Sequence, residues 1–145
     1  MGELIKLENI KVNVEANDWR DAIRKSGALL EENGSIKHDY IEDMIKSVEE
    51  LGPYIVLMPG FALGHAAPSP SVLKNDLSLI TLTNPVNFGS NNDPVKVLMC
   101  LACTDSKSHM ESIQKVAMKL MENDSIDRML ACKTEMDLYN FLNND

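Results

Sequence analysis

Two of the three histidines in this chain follow directly on segments that read as β-strands. His65 comes after the apolar segment 54–64, which ends in a glycine, and His109 comes shortly after the apolar segment 95–102. Imidazole can be neutral near pH 7, and one ring nitrogen can react while a hydrogen bond holds the other. Because α/β folds bind ligands at strand ends, His65 and His109 are candidates for nucleophilic chemistry.

The sequence around His109 adds a helix N-terminus to this picture. Asp105 is predicted to cap the helix that begins after the second strand, which places His109 near the free N–H groups and the positive end of the helix dipole. Two imidazoles beside such an end would suit a phosphoryl group, with one nitrogen attacking phosphorus and the other ring donating to an oxygen. Spacing alone leaves a plainer interpretation open, in which His65 is a loop histidine and His109 an exposed polar residue.

Other kinds of chemistry find less support in the sequence. His38 is expected to be an exposed residue at a helix start, and the three histidines lack metal-ligand spacing, so no metal is predicted. Cys100 and Cys103 match the C-x-x-C pattern, but residues three apart on a strand face opposite sides. We therefore predict that these thiols are buried packing groups and that no redox pair exists.

Length and charge restrict the class of protein. The chain has 145 residues, of which 22 are acidic and 14 basic, for a net charge of −8. This predicts one domain spanning residues 1–145 and argues against nucleic acid as a partner. No window approaches the roughly 18 apolar residues of a membrane span, and the N-terminal residues lack a signal-peptide core. We expect a cytoplasmic protein that does not insert into the membrane.

Apolar periodicity predicts strands alternating with helices. The predicted strands cover residues 8–15, 54–58, 77–82 and 95–102. The predicted helices cover residues 19–32, 40–48, 105–121, 126–131 and 135–142. The breakers at 84–85 and 90–94 are expected to end strands. This order predicts an α/β fold, a mixed β-sheet of about five strands flanked by helices on both faces.

Several sequence blocks together resemble a known family. They are Gly52-Pro-Tyr-Ile-Val-Leu-Met-Pro-Gly-Phe-Ala62, His65-Ala-Ala-Pro68, Leu77-Ser-Leu79, Pro85-Val-Asn-Phe-Gly89, Asp93-Pro-Val-Lys96 and Leu101-Ala-Cys-Thr-Asp-Ser-Lys-Ser-His109. In this order and spacing the chain resembles the EIIA component of the mannitol/fructose type from the sugar phosphotransferase system, and most nearly its ascorbate-like single-domain branch.

The resemblance implies a phosphoryl relay for sugar uptake. His65 would accept a phosphoryl group from the carrier HPr on its tele nitrogen and pass it to a cysteine of EIIB, with EIIC in the membrane as an indirect partner. His109 would support the phosphorylated state, and Gly64, Ala66 and Asp105 are candidates for the phosphate pocket. No cofactor is implied.

The active turn departs from the family pattern at two positions. Family members usually carry Pro-His-Ala-Arg-Pro, whereas this chain has Gly64 before the histidine and Ala67 in place of the arginine. Lys74 or Lys107 could supply the missing cation. The departures leave an alternative open, a regulatory or sensor EIIA paralogue in which phosphorylation of His65 signals without transport.

Overall fold

A mixed five-stranded sheet forms the centre of the molecule. A computed structural model describes residues 3–143, so the two ends of the predicted 1–145 domain, including Met1 and Gly2, lie outside the described residues. The strands are β1 (Ile10–Val14), β2 (Val56–Met58), β3 (Phe61–Gly64), β4 (Asp76–Val86) and β5 (Val95–Ala102). Their order across the sheet is β1-β4-β5-β3-β2. β1 with β4 and β3 with β5 are parallel pairs, while β4 with β5 and β2 with β3 are antiparallel.

Five helices cover both faces of this sheet, which confirms the predicted fold. They are α1 (Trp19–Glu32), α2 (His38–Leu51), α3 (Ser106–Leu120), α4 (Ser125–Ala131) and α5 (Glu135–Asn143). The strand period of two divides the core between the faces. On β5, Leu98 and Cys100 pack with α1 and α2, whereas Val97 and Met99 pack with α3, α4 and α5. The N-terminal helices thus cover one face and the C-terminal helices the other.

Carboxylate caps begin two of the helices, and the cap at Asp105 is the predicted one. Asp18 accepts a hydrogen bond from the Asp21 amide at the start of α1, and Asp105 accepts one from the Ser108 amide at the start of α3. Each cap satisfies one of the free N–H groups of a helix N-terminus. The cap at Asp105 fixes where the chain turns from β5 into the helix that carries His109.

Two strand predictions are wrong in their bounds. The predicted strand 54–58 left residues 61–64 without an element, but they form β3, because Gly60 adopts a positive φ of 86° and lets β2 fold back as a hairpin. The Asn84-Pro85 pair was expected to end a strand, but β4 continues to Val86. The register between β4 and β5 is irregular after Thr81, and Pro85 is exposed there, so its missing N–H breaks no regular ladder bond.

Within residues 3–143, no helix combines the length and the apolar composition that crossing a membrane requires.

Candidate active site

The parallel pairing of β3 with β5 brings the two histidines together. Gly64, the last residue of β3, is in register with Cys100 near the end of β5. His65 follows β3 directly, and His109 lies in the first turns of α3 after β5. Their ring centroids are 5.2 Å apart with an interplanar angle of 57°. The predicted meeting of the two strand ends is therefore present.

One hydrogen bond sets the tautomer of His65. Its Nδ1 lies 2.8 Å from the carbonyl oxygen of Leu63. A carbonyl can only accept, so Nδ1 carries the proton and Nε2 keeps its lone pair. Burial of the ring, and to a smaller extent the neighbouring His109, lowers the pKa of His65, while the hydrogen bond to Leu63 opposes the shift. The side chain is thus neutral near pH 7 with Nε2 as the nucleophilic atom.

The tautomer of His109 follows from the burial of one ring nitrogen. Its Nδ1 is buried and has no hydrogen-bond partner. A proton on that nitrogen would leave a buried donor unsatisfied, which costs about 1–3 kcal/mol, so the favoured tautomer carries the proton on Nε2. His109 can therefore donate a hydrogen bond from Nε2 beside the lone pair of His65.

Tyr54 is a site residue that sequence reasoning missed. Its ring meets the His65 ring edge-on, with centroids 5.4 Å apart and an angle of 88°. Its hydroxyl lies 3.4 Å from the carbonyl oxygen of His65. The β2–β3 hairpin is the feature that could have identified Tyr54, because the antiparallel pairing of Val56 with Ala62 carries Tyr54 towards the end of β3. Without β3 in the prediction, this approach could not be foreseen.

The three predicted pocket residues have different places. Ala66 is adjacent to His65, but its amide already donates to the hydroxyl of Tyr40 at 3.1 Å. Asp105 is exposed and uses its carboxylate to cap α3. That carboxylate occupies the helix N-terminus where the sequence suggested room for a phosphate, and its negative charge would repel one.

Gly64, the third predicted pocket residue, has a packing role. It belongs to β3, and an ideal Cβ at this position would lie 3.3 Å from Cys100 Sγ and 3.5 Å from the Met99 carbonyl oxygen. The space of a side chain is thus already filled by β5. Gly60 precedes β3 and lies at the opposite end of that strand from His65.

The predicted replacement cations have no demonstrated contact with the histidines. Lys74 and Lys107 are both exposed. Lys107 stands two residues before His109 on α3, and positions two apart on a helix do not face each other. Ala67, which replaces the family arginine, is exposed as well.

Other titratable side chains lie apart from the site. His38 is the exposed first residue of α2, as predicted, and its hydrogen bond to Glu31 raises the pKa of its ring. Cys100 and Cys103 belong to opposite faces of the sheet, and burial raises the pKa of the Cys100 thiol to about 11. In the described part of the chain, no three His, Cys, Asp or Glu side chains are grouped to hold a metal ion.

Comparison with known proteins gives this geometry a family. Residues 3–145 match the model of "Phosphoenolpyruvate-dependent sugar phosphotransferase system, EIIA 2". The ascorbate-specific PTS system EIIA component of Shigella boydii is 32% identical over 141 residues, covering 96% of this chain and 92% of that protein.

Solved structures agree with the match. A PTS IIA protein of Streptococcus mutans, PtxA, superimposes with a TM-score of 0.88 at 36% identity, covering 94% of this chain and 87% of that one. The mannitol enzyme IIA of Escherichia coli, solved in complex with phosphorylated enzyme IIB, shares the fold with a TM-score of 0.84 at 22% identity, covering 95% and 96% of the two chains.

The chain belongs to the EIIA type 2 family of the phosphoenolpyruvate-dependent sugar phosphotransferase system. It is a phosphocarrier, a phosphotransferase component that works through a phosphohistidine.

Proposed function

We propose that His65 is the phosphoryl acceptor and that the group is bonded to its Nε2. In this proposal the donor is phospho-HPr, the recipient is a cysteine of the cognate EIIB, and the relay takes place in the cytoplasm. The transported sugar then reaches the cell through EIIC, which this chain affects only through EIIB.

The observation that carries the proposal is the hydrogen bond between His65 Nδ1 and the Leu63 carbonyl oxygen. It leaves the Nε2 lone pair free, and the lowered pKa keeps that lone pair unprotonated near neutral pH. A nucleophile in this state needs no general base. His38 differs, because its exposed ring is paired with Glu31 and Glu42 and its pKa is raised.

The two transfers balance without any further reactant. In the first, the Nε2 lone pair bonds to phosphorus as the phosphorus–nitrogen bond of phospho-HPr breaks, and the carrier leaves with that electron pair. In the second, an EIIB thiolate attacks phosphorus and the electron pair of the broken bond returns to Nε2. The proton stays on Nδ1, hydrogen-bonded to the Leu63 carbonyl oxygen, throughout, so His65 ends as it began.

His109 has the supporting role in this proposal. Phosphoryl transfer through a loose transition state depends on in-line placement and on donors to the phosphoryl oxygens. The His109 ring lies 5.2 Å from His65 and offers its Nε2 proton as such a donor. A donor placed beside the reacting atoms stabilises the charge that develops on the phosphoryl oxygens.

We further propose ascorbate as the sugar of this system. The Shigella boydii relative at 32% identity is an ascorbate-specific EIIA component. The choice of sugar depends on the partner components, so the selectivity of the chain must lie in which EIIB it recognises.

Incubation with enzyme I, HPr and radiolabelled phosphoenolpyruvate tests the acceptor. The wild-type chain should be labelled, His65→Ala should stay unlabelled, and His38→Ala should be labelled as wild type. Persistent labelling of His65→Ala would overturn the assignment.

Addition of purified EIIB tests the rest of the relay. Label should move to the EIIB cysteine, and faster with EIIB of an ascorbate system than with EIIB of a mannitol system. Label that stays on His65 with every EIIB would instead indicate a sensor paralogue. Faster transfer to the mannitol EIIB would contradict ascorbate as the sugar.

A further inference from the structure

The hydroxyl of Tyr40 joins the two chain segments that lead to the histidines. Tyr40 lies in the first turn of α2, and its side chain is completely buried. The hydroxyl oxygen accepts the Ala66 N–H at 3.1 Å and lies 2.7 Å from the Leu101 carbonyl oxygen. The Ala66 carbonyl oxygen is farther away, at 3.2 Å. A phenol has one proton, so the geometry favours donation to Leu101.

This bridge replaces direct pairing where β3 and β5 separate. The last register pair between the two strands is Gly64 with Cys100. The amide of Ala66, two residues after Gly64, and the carbonyl of Leu101, one residue after Cys100, are connected through the Tyr40 hydroxyl. Ala66 is 7% exposed and Leu101 is 1% exposed, so water has little access to either. The hydroxyl therefore satisfies two buried backbone groups at once.

The Tyr40 bridge and the hydrogen bond between Nδ1 and Leu63 hold His65 from its two sides. The Leu63 carbonyl binds Nδ1 from the residue two before His65, and Tyr40 binds the amide one residue after it. Gly64 is the last residue of β3, so strand pairing with β5 no longer restrains the backbone at His65 and Ala66. Restraint of the turn must therefore come from contacts outside it.

We propose that Tyr40 is a positioning residue for phosphoryl transfer, one that sets the direction of the His65 Nε2 lone pair without touching the phosphoryl group. The inference rests on the proposed role of His65 as acceptor. Because in-line transfer is sensitive to small displacements, a turn released from this bridge should react more slowly even where it still binds HPr.

The variant Tyr40→Phe removes one oxygen atom and keeps the ring. We expect kcat for phosphorylation by phospho-HPr to fall roughly ten- to a hundredfold, with KM for phospho-HPr unchanged. The NMR signals of the His65 ring should also show a mixture of tautomers, with the ring proton no longer confined to Nδ1. In protein that is still folded, a loss of stability alone would alter neither kcat nor the tautomer of His65.

Two controls separate positioning from stability. Tyr139→Phe makes the same chemical change on α5, where the hydroxyl binds Glu3, and should leave kcat as in the wild type. Leu138→Ala opens the buried core on the face of the sheet away from Tyr40 and lowers stability with kcat unchanged. If Tyr40→Phe reacts like Leu138→Ala, with normal kcat and a normal His65 tautomer, the positioning role is wrong.

Amide hydrogen exchange in the wild-type chain gives a test that does not depend on a foldable variant. The Ala66 amide should be strongly protected although it lies beyond the last residue of β3, and fast exchange there would overturn the bridge. These outcomes are distinct from failure of the proposed function. If the wild-type label is not on His65, the acceptor assignment fails, whereas a labelled His65 with normal kcat in Tyr40→Phe refutes only the positioning role.

Discussion

His65 and His109 lie on neighbouring strand ends, but the structure supports them differently. His65 is held by a backbone carbonyl on its ring and by the Tyr40 bridge at the next residue, both on the buried side of the turn. His109 lies on α3, where the described residues include just two buried side chains, Val116 and Leu120. By contrast, α2 buries five of its fourteen residues.

The contrast fits a division of labour between the two histidines. A nucleophile must meet phosphorus in line, so its support has to be rigid. A donor to the phosphoryl oxygens tolerates more variation, because a hydrogen bond stays favourable over a range of angles and weakens steeply only below about 120°. His109 therefore needs the right tautomer more than a fixed orientation, and its buried Nδ1 secures that tautomer.

Loss of the supporting donor is expected to have the largest effect after loss of His65 itself. His109→Ala should lower kcat for phosphorylation by about a hundredfold, because removal of one preorganised donor typically costs 10²–10³ in rate. Rapid-quench measurement with phospho-HPr checks this, with His38→Ala as the matched control. A wild-type rate in His109→Ala would show that the ring contact has no catalytic role.

Acidification should protonate His38, on α2, before it protonates His65, in the active turn. The pKa of His65 is lowered from its usual 6.5 and that of His38 is raised, so His65 stays neutral to a lower pH. Phosphorylation should therefore decline at a lower pH than the protonation of an ordinary histidine would produce. Since the unfolded chain protonates His65 more readily than the folded chain, stability from this group falls as pH drops below the ordinary value.

An NMR titration of the ring protons measures both pKa values in one experiment. In His109→Ala the pKa of His65 should rise, because the neighbouring ring contributes to its depression. If His65 titrates above His38, the buried, neutral nucleophile is ruled out.

A side chain at Gly64 should weaken the support of the active turn through packing. Gly64→Ala places a methyl group 3.3 Å from Cys100 Sγ, and overpacking of this kind costs about 1–3 kcal/mol in the free energy of unfolding. The penalty should be smaller in a Cys100→Ala background, where the sulfur is absent. Urea unfolding of the four proteins in this cycle measures the coupling, and equal penalties in both backgrounds would contradict the packing explanation.

The smallest effect is expected for the exposed cations. Lys107→Ala should change the phosphorylation rate by less than about twofold, since Lys107 faces away from His109 on α3. Lys74→Ala provides the parallel measurement for the loop before β4. A tenfold loss in either variant would show that a lysine has taken over the function of the missing arginine.

The sequence predicted the site to the extent that strand ends and caps are local features. Apolar periodicity located β5, the Asp105 cap located the start of α3, and both histidines followed from their places after strands. The short strand β3 was missed because the three residues between Gly60 and Gly64 show no periodicity of their own.

Contacts between distant segments were beyond the reach of the sequence. The Tyr40 hydroxyl meets Ala66 across 26 positions and Leu101 across 61. Tyr40 looked like an ordinary apolar position of an amphipathic helix, and nothing in its spacing marked the polar end of the side chain. Likewise, the packing of Gly64 against Cys100, which leaves no room for a side chain at this position, is visible only in the structure.

The central claim is that phosphorus bonds to Nε2 of His65, and NMR of the phosphorylated chain tests it most directly. Protein labelled with the heavy nitrogen isotope and phosphorylated through HPr should show phosphorus coupled to Nε2 of His65, with Nδ1 still protonated and donating to the Leu63 carbonyl oxygen. Coupling to Nδ1 of His65, or to either nitrogen of His109, would contradict the account.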